Sequence, residues 1–424
     1  MIKTFYVENF WSIKDRMNIS FEASCLKDET YYNNFFDYCG KKILKMVSFY
    51  GMNASGKTAI TKAFAALREL VIPVFNVQGI PGIQNIRANP HIPYIPFGLC
   101  SETKKKETTL GMEFSLNNDA GSPLYSYAVS YNRDRIVKEV FEKKTSQKSS
   151  TLFERRTNEE NVTEVKVGKN ASNRLLLESF ASSMMPNRTF LSMFNGVKLQ
   201  DFTEAYAFFA ERLINISPEI SRFDDLIPNS IMRNEDLKAF TKNLLKAADF
   251  NIEDFEVQKK RAQYLPVMPG MMAEQDALFM VHKGNQYSGK IEFLNESLGT
   301  KKIVIMAEFL FSVLTKPSVL IVDELESSLH PELTKLIVKC FLDETINVHN
   351  SQLIFTSHET SLLDLDLLRR DQINFVYKDE DTCGTYIRSL NDFHVRKTDN
   401  VEKSYLAGRY STSPNINDGY LMRN

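Results

Sequence analysis

The sequence predicts an α/β protein with a core sheet, an antiparallel β subdomain and a helical insertion, and three observations carry that prediction. A short apolar strand, Lys45–Tyr50, runs into a glycine-containing loop, GMNASGKT at 51–58, and then into a helical segment at 59–70. A second apolar run, Val319–Val322, ends in two adjacent carboxylates, Asp323 and Glu324. Continuous apolar runs read as strands buried on both faces, as in a parallel sheet covered by helices. Between the two runs, from about 107 to 168, hydrophobicity alternates with period two, as in half-buried antiparallel strands.

Taken in order, Lys3–Trp11 and Met17–Ala23 alternate well enough for two strands. AITKAFAALREL, after the loop, has helix-favouring composition and apolar residues at helical spacing. Residues 71–98 carry Pro and Gly and read as loop. ETTLGMEFSL, LYSYAVSY, RIVKEVFEKK and TLFERR form a meander whose first turn is NNDAGSP. Helical stripes follow in SNRLLLESFASSMM, DFTEAYAFFAERLINI and EDLKAFTKNLLKAADF. A strand pair is expected across 253–293, then a helix at about 300–315, the Val319–Val322 strand, a helix after Pro331 and a strand at Gln352–Thr356. The expected division is 1–168 for an N-terminal lobe, 169–252 for the helical insertion and 253–424 for a C-terminal lobe.

The bulk numbers exclude little. Hydrophobic content of 43% and charged content of 25% over 424 residues are ordinary for a soluble globular chain. A net charge of -1 gives no global argument for nucleic acid or an acidic membrane. Five cysteines, Cys25, Cys39, Cys100, Cys340 and Cys383, are odd in number and widely spaced, which favours reduced thiols over disulfides or a zinc site. MIKTFYVENF lacks a signal-peptide layout, and no apolar run of about 18 residues occurs, so a cytoplasmic chain without a membrane partner is expected.

GMNASGKT fits G-x-x-x-x-G-K-[ST], and both the preceding strand and the following helix are in place. Gly51 and Gly56 let the backbone curl, so that N–H groups of Asn53, Ala54, Ser55 and their neighbours face phosphate oxygens. The helix N-terminus adds positive charge. Lys57 is expected on the β and γ phosphates and Thr58 on Mg²⁺. Asp323, at the end of another strand, suits the same cation, and Glu324 suits a base for the attacking water. ATP and Mg²⁺ are therefore the expected ligands. A GTPase is less well served, because no [NT]-K-x-D string occurs.

At these residues the sequence resembles the ATPase heads of the ABC superfamily, as in the SMC, RecF and overcoming-lysogenization-defect proteins. GMNASGKT looks like the P-loop, VLIVDE like the carboxylate strand, ESSLHP like the D-loop and FTSH like the strand end with the switch histidine, His358. LNESLGTKK at 294–302 occupies the place of the signature motif, with Ser297 and Gly299 as its Ser and Gly, although it departs from the common LSGGQ. VENFWSIKD resembles the strand that opens such heads, with Trp11 where Arg is common. The match is closest to the prokaryotic RecF- and OLD-like AAA ATPases of anti-phage systems. It covers about 1–70 and 290–410 well and the middle loosely. The resemblance implies an ABC-type ATPase head in which ATP lies between two subunits, Lys57, Thr58, Asp323 and Glu324 of one facing Ser297 and Gly299 of the other. A Q-loop glutamine is also implied, and neither Gln78 nor Gln84 is persuasive in that role.

From this follows an expected ATPase sensor or scaffold of a bacterial anti-phage module. It would hydrolyse ATP slowly, form at least a dimer, answer a phage-derived trigger and control a separate, nuclease-like effector. A RecF- or SMC-like DNA-associated ATPase is the alternative, weakened by the near-neutral charge. A transporter nucleotide-binding subunit is opposed by the long, partly β interval between 58 and 294. Asp364 and Asp366 in LLDLDLL spell a D-x-D, but a further nuclease domain needs on the order of 100 residues, more than follows His358, so the pair reads as ATPase tail. FFDY and AYAFFAE read as core. ETKKKE and EKKTSQK read as solvated hairpin tips, and Lys259, Lys260 and Arg261 as a solvated strand end.

Overall fold

A computed structural model describes residues 1–25, 33–72, 92–119, 121–145, 148–216, 227–248, 250–261, 274–284 and 286–410. Strands β1 (Ile2–Glu8) and β2 (Met17–Ser20) open the chain, and β3 (Phe35–Tyr38) and β4 (Lys41–Leu44) form a small hairpin. Then come β5 (Met46–Tyr50) and α1 (Lys57–Val71). The meander is β6 (Thr108–Phe114), β7 (Leu124–Tyr131), β8 (Ile136–Lys144), β9 (Ser149–Thr157) and β10 (Thr163–Val167). Helices α2 (Arg174–Ser182) and α3 (Gln200–Ala207) precede β11 (Leu213–Ile216), and α4 (Ile227–Arg233) and α5 (Glu235–Ala247) follow it. A hairpin sheet contains β12 (Ile252–Arg261), β13 (Glu274–Lys283) and β14 (Ser288–Glu292). The last part runs α6 (Leu298–Leu314), β15 (Val319–Val322), α7 (Pro331–Leu342), β16 (Gln352–Ser357), β17 (Ile373–Lys378), β18 (Thr385–Ser389) and α8 (Val401–Leu406).

Two sheets organise the molecule. The core sheet has the order β11-β15-β16-β5-β17-β18, parallel except for the β17–β18 pair. Every residue of β5, β15 and β16 is buried, as strands covered on both faces must be. Successive side chains serve opposite faces. Val47, Phe49, Val319, Ile321 and Ile354 enter one apolar core, while Met46, Tyr50, Leu320, Val322, Leu353 and Phe355 enter the other. The first core lies against α1 and the antiparallel sheet, where Phe5 and Phe64 stack at 3.7 Å. The second is packed by α5, α6 and α7.

The antiparallel sheet has the order β10-β9-β8-β7-β6-β1-β2, so the N-terminal strands join the meander in one sheet. β7 alternates between half-buried and buried along its whole length, as period two requires. This is the expected α/β architecture of a P-loop core sheet with an antiparallel β subdomain and a largely helical stretch between them.

Local expectations fare less evenly. DFTEAYAFFAERLINI is not one helix: α3 ends at Ala207, a π turn covers Phe208–Arg212, and Leu213–Ile216 pairs in parallel with Val319–Val322. Helical spacing across the segment was outweighed by an open edge beside β15, where branched apolar side chains fit the pleat. The strand expected over Lys3–Trp11 stops at Glu8, because Asn9 and Trp11 both adopt φ near 53°. The expected pair in 253–293 has a third strand, β14. Phe36, Tyr38, Phe208 and Phe209 are buried, in keeping with core. Lys143 and Lys144 are not a solvated tip, since they pair with Asp201 and Glu113. All five cysteines are free. No helix among the described residues is long and apolar enough to cross a membrane. Gln78 and Gln84 lie outside the described residues.

Candidate functional site

The carboxyl ends of β5, β15 and β16, adjacent in one parallel sheet, bring the chemistry together. Open α/β sheets bind ligands at such strand ends. β5 delivers the loop 51–56, and α1 starts at Lys57 with Gly56 as its N-cap, at φ 107°. Both loop glycines are obligatory on steric grounds. A Cβ on Gly51 would lie 2.4 Å from the Val376 carbonyl oxygen, and one on Gly56 would lie 2.1 Å from Thr385 Oγ1. Ala54 also carries a positive φ, of 63°. Such a turn aims successive N–H groups inward as a nest for an anion.

The loop is braced from far away in sequence. Thr385 Oγ1 donates to the Ser55 carbonyl at 2.9 Å and bonds Ser12 Oγ at 2.8 Å, and Thr385 N–H donates to the Ser12 carbonyl at 2.7 Å. Ser55 is buried, and its hydroxyl has no hydrogen-bond partner among the described residues. Beside α1, Lys62 Nζ sits 3.8 Å from the centre of the Trp11 ring.

Lys57 is buried, and its ammonium donates to the carbonyls of Gly51 at 2.8 Å and Met52 at 3.0 Å. Burial pushes its pKa down to about 8, against the opposing pull of Glu326, Asp323 and Glu324. The lysine is thus stored on its own loop, facing the carboxylates. Thr58 follows it, half-buried, on the first turn of α1.

Asp323, at the end of β15, is also buried. Its Oδ1 accepts from Thr356 Oγ1 at 2.7 Å, and the same hydroxyl accepts from Glu324 N–H at 2.8 Å. Glu324 turns out of the strand with φ 53°. Glu326 reaches across to the end of β16, accepting from Ser357 Oγ at 2.8 Å and from His358 N–H at 2.7 Å. His358 is exposed, and its pKa is lowered by partial burial and by Lys57, with Glu326, Glu324 and Asp323 opposing. Lys57, Asp323, Glu324 and His358 are therefore one electrostatic cluster in a single chain.

Ser297 and Gly299 sit on a different wall. Ser297 caps α6, accepting from Thr300 N–H at 3.1 Å. A Cβ on Gly299 would come within 3.3 Å of the Ser328 carbonyl, and Lys302 Nζ donates to the Ser327 carbonyl. The α6 start therefore packs on the turn that follows Glu324. His282 Nε2 and Glu296 Oε1 share a hydrogen bond of 2.6 Å that braces the approach to Ser297. Ser297 itself is exposed, and Leu298 beside it is 74% exposed. Lys302 is buried, with its pKa pushed down to about 8 by that burial.

Sequence reasoning missed Ser12, Thr356, Thr385, Glu326 and Lys302. Thr356 and Glu326 stand inside the strings FTSH and ESSLHP, so the signal was present without a partner to interpret it. Ser12 and Thr385 are 373 residues apart and left no local trace. Asp364 and Asp366 lie away from the cluster, on a polar pocket with Lys335, Lys397 and Glu402. Among the described residues, no group of three or more His, Cys, Asp or Glu side chains forms a metal cluster.

A family described as "AAA domain, putative AbiEii toxin, Type IV TA system" matches residues 46–364. Among curated proteins there is no significant match. Solved structures similar to the chain include an Smc head bound to the C-winged helix domain of ScpA, at 13% identity and TM-score 0.38, covering 92% of this chain and 97% of that one. A second is the Smc head with an extended coiled coil bound to the C-terminal domain of ScpA, from Pyrococcus furiosus, at 13% identity and TM-score 0.40, covering 92% and 96%. A third is cbiO1 from Clostridium perfringens, part of the ABC transporter complex cbiONQ, at 14% identity and TM-score 0.23, covering 52% and 80%.

Proposed function

The chain belongs to this AAA-domain family and is a P-loop ATPase of the AAA/ABC type with the fold of an ABC-type head, and from that premise we propose that it is an ATP-driven switch in a bacterial anti-phage defence system. One observation carries the reading. Lys57, Asp323, Glu324 and His358 converge within one chain, while the capped helix start at Ser297 is exposed on another wall. In this reading half of a nucleotide site would be complete, with the element suited to close over a γ-phosphate facing outward. Two copies of the chain, each lending Ser297 and Gly299 to the other's loop, would complete both sites.

The residues fit that task. The nest of 51–56 and the α1 N-terminus would bind phosphate oxygens, and Lys57 would exchange its carbonyl partners for them. Thr58 and Asp323 would hold Mg²⁺, which when bound neutralises phosphate charge. Glu324 would accept the proton of the attacking water, and His358 would orient that water or the γ-phosphate. A serine hydroxyl and a helix N-terminus brought by the second copy both favour an anion. Turnover would be slow, since closure and release of the dimer would be the signal.

The defence reading is supported by the family's description, which names a toxin and a type IV toxin–antitoxin system. We read this chain as the sensor or scaffold of such a system, controlling a separate, nuclease-like effector in answer to a phage-derived trigger. The test is a pull-down of tagged Glu324→Gln chain from its native host with ATP, weighing both protein and nucleic acid. A stoichiometric second protein without DNA supports a scaffold. Recovered DNA without a partner protein would replace this reading with a DNA-associated ATPase.

A further inference from the structure

Between β15 and His358 runs a continuous zipper of hydrogen bonds. Thr356 Oγ1 donates to Asp323 and accepts from Glu324 N–H, Leu325 N–H donates to the Thr356 carbonyl, and Glu326 takes Ser357 Oγ and His358 N–H with its two carboxylate oxygens. Glu326 is the last tooth and the only side chain of this turn that grips the histidine's own peptide among these bonds. The next two residues face the other way. Ser327 receives the Lys302 ammonium through its carbonyl, and the Ser328 carbonyl abuts Gly299 at the α6 start. The segment 326–328 is thus held by His358 on one side and by the Ser297-bearing helix on the other.

We propose that Glu326 is a positioning residue that carries the state of the α6 start to His358, so that hydrolysis depends on where that helix sits. This rests on the ATPase reading and deepens it. A carboxylate bound through both oxygens is a stiff link, because each bond restricts the other's swing. Shifting the α6 start would move Ser327 through the Lys302 contact, and Glu326 would shift the His358 peptide in step. Charge supports the same assignment. Glu326 leads the carboxylates that oppose the lowering of the His358 pKa, with Glu324 and Asp323 acting likewise and Lys57 the cation facing the imidazole.

The experiment is steady-state ATP hydrolysis by the full chain, with Glu326→Ala, Glu326→Gln, His358→Ala and the Glu326→Ala/His358→Ala double variant. Glu326→Ala is expected to lower kcat by about tenfold or more, since small misplacement of a reacting group is costly. KM for ATP should stay within about threefold. In the His358→Ala background the Glu326→Ala change should add almost nothing, because two residues acting as one unit are not additive. Glu326→Gln keeps the shape and can keep both partners, its Oε1 accepting from His358 N–H and its Nε2 donating to Ser357 Oγ, so it should retain most of the turnover. Its acid pH limb should shift to lower pH, because loss of the carboxylate removes a charge that favours the protonated imidazole. An equal loss in both backgrounds, or a Glu326→Gln variant as slow as Glu326→Ala with an unmoved limb, would overturn the role. Hydrolysis untouched by Glu326→Ala overturns this role alone. No hydrolysis by the unsubstituted chain overturns the ATPase reading and the role with it.

Discussion

The loop at the end of β5 and the helix start at Ser297 both present polar groups suited to a phosphate, and they are built in opposite ways. The loop is closed over. Gly51 and Gly56 touch β17 and β18, Thr385 and Ser12 brace it, and Lys57 is buried on its carbonyls. The α6 start is open. Ser297 is exposed, and in the segment leading into α6 Tyr287, Ile291, Leu294 and Leu298 are 83%, 42%, 48% and 74% exposed. One wall is preorganised by its own chain, and the other presents apolar surface that the described residues leave exposed. A preformed wall fixes binding, and an open wall would leave closure to a second body, as the proposed switch requires.

Substitutions can break this contrast, and the largest effect is expected at the closed wall. Glu324→Gln should cut turnover by roughly 10²–10⁴-fold, the usual contribution of a general base. ATP binding should persist, and a closed dimer should accumulate in size-exclusion chromatography with ATP. Unchanged turnover would remove Glu324 from the role of base. Lys57→Ala deletes charge-assisted bonds worth roughly 1.5–3 kcal/mol each. We expect Kd for a fluorescent ATP analogue to rise about 100-fold, which titration of the variant checks.

Ser297→Arg probes the open wall. It should abolish ATP-dependent dimerisation, seen by light scattering, while one chain still binds nucleotide with a Kd within about threefold of the parent's. Normal dimerisation would show that the second body closes elsewhere.

The smallest effect sharpens the contrast through pH. Lys57 in the free chain titrates near pH 8, whereas bound phosphates hold it protonated. Above pH 8 binding must therefore take up a proton, and affinity should fall by about tenfold per pH unit. Below pH 8 the affinity should be flat with respect to this group. Calorimetry in two buffers of different ionisation enthalpy at pH 8.5 should detect the proton. The same depression makes the free chain more stable as pH rises from 8 toward 10.5, because the unfolded lysine still binds its proton there and the folded one does not. Lys57→Met should flatten that rise in thermal melts.

What the sequence determined by itself is the set of pieces that act locally. The P-loop residues, the Asp323–Glu324 pair, the buried strands β5, β15 and β16 and the meander all announce themselves, because a run of apolar residues, a glycine pair or a period of two is a property of neighbouring positions. The tertiary structure decided everything that depends on residues meeting across the chain. LINI looked helical until a free edge of β15 claimed it. The Thr385 and Ser12 braces and the hold of Glu326 on His358 join positions 373 and 32 apart. Lys302, in the string LNESLGTKK, is buried because α6 lies on the turn after Glu324. A hydrogen bond of this kind needs one donor and one acceptor at about 3 Å, and no local pattern records which distant partner the fold will bring there.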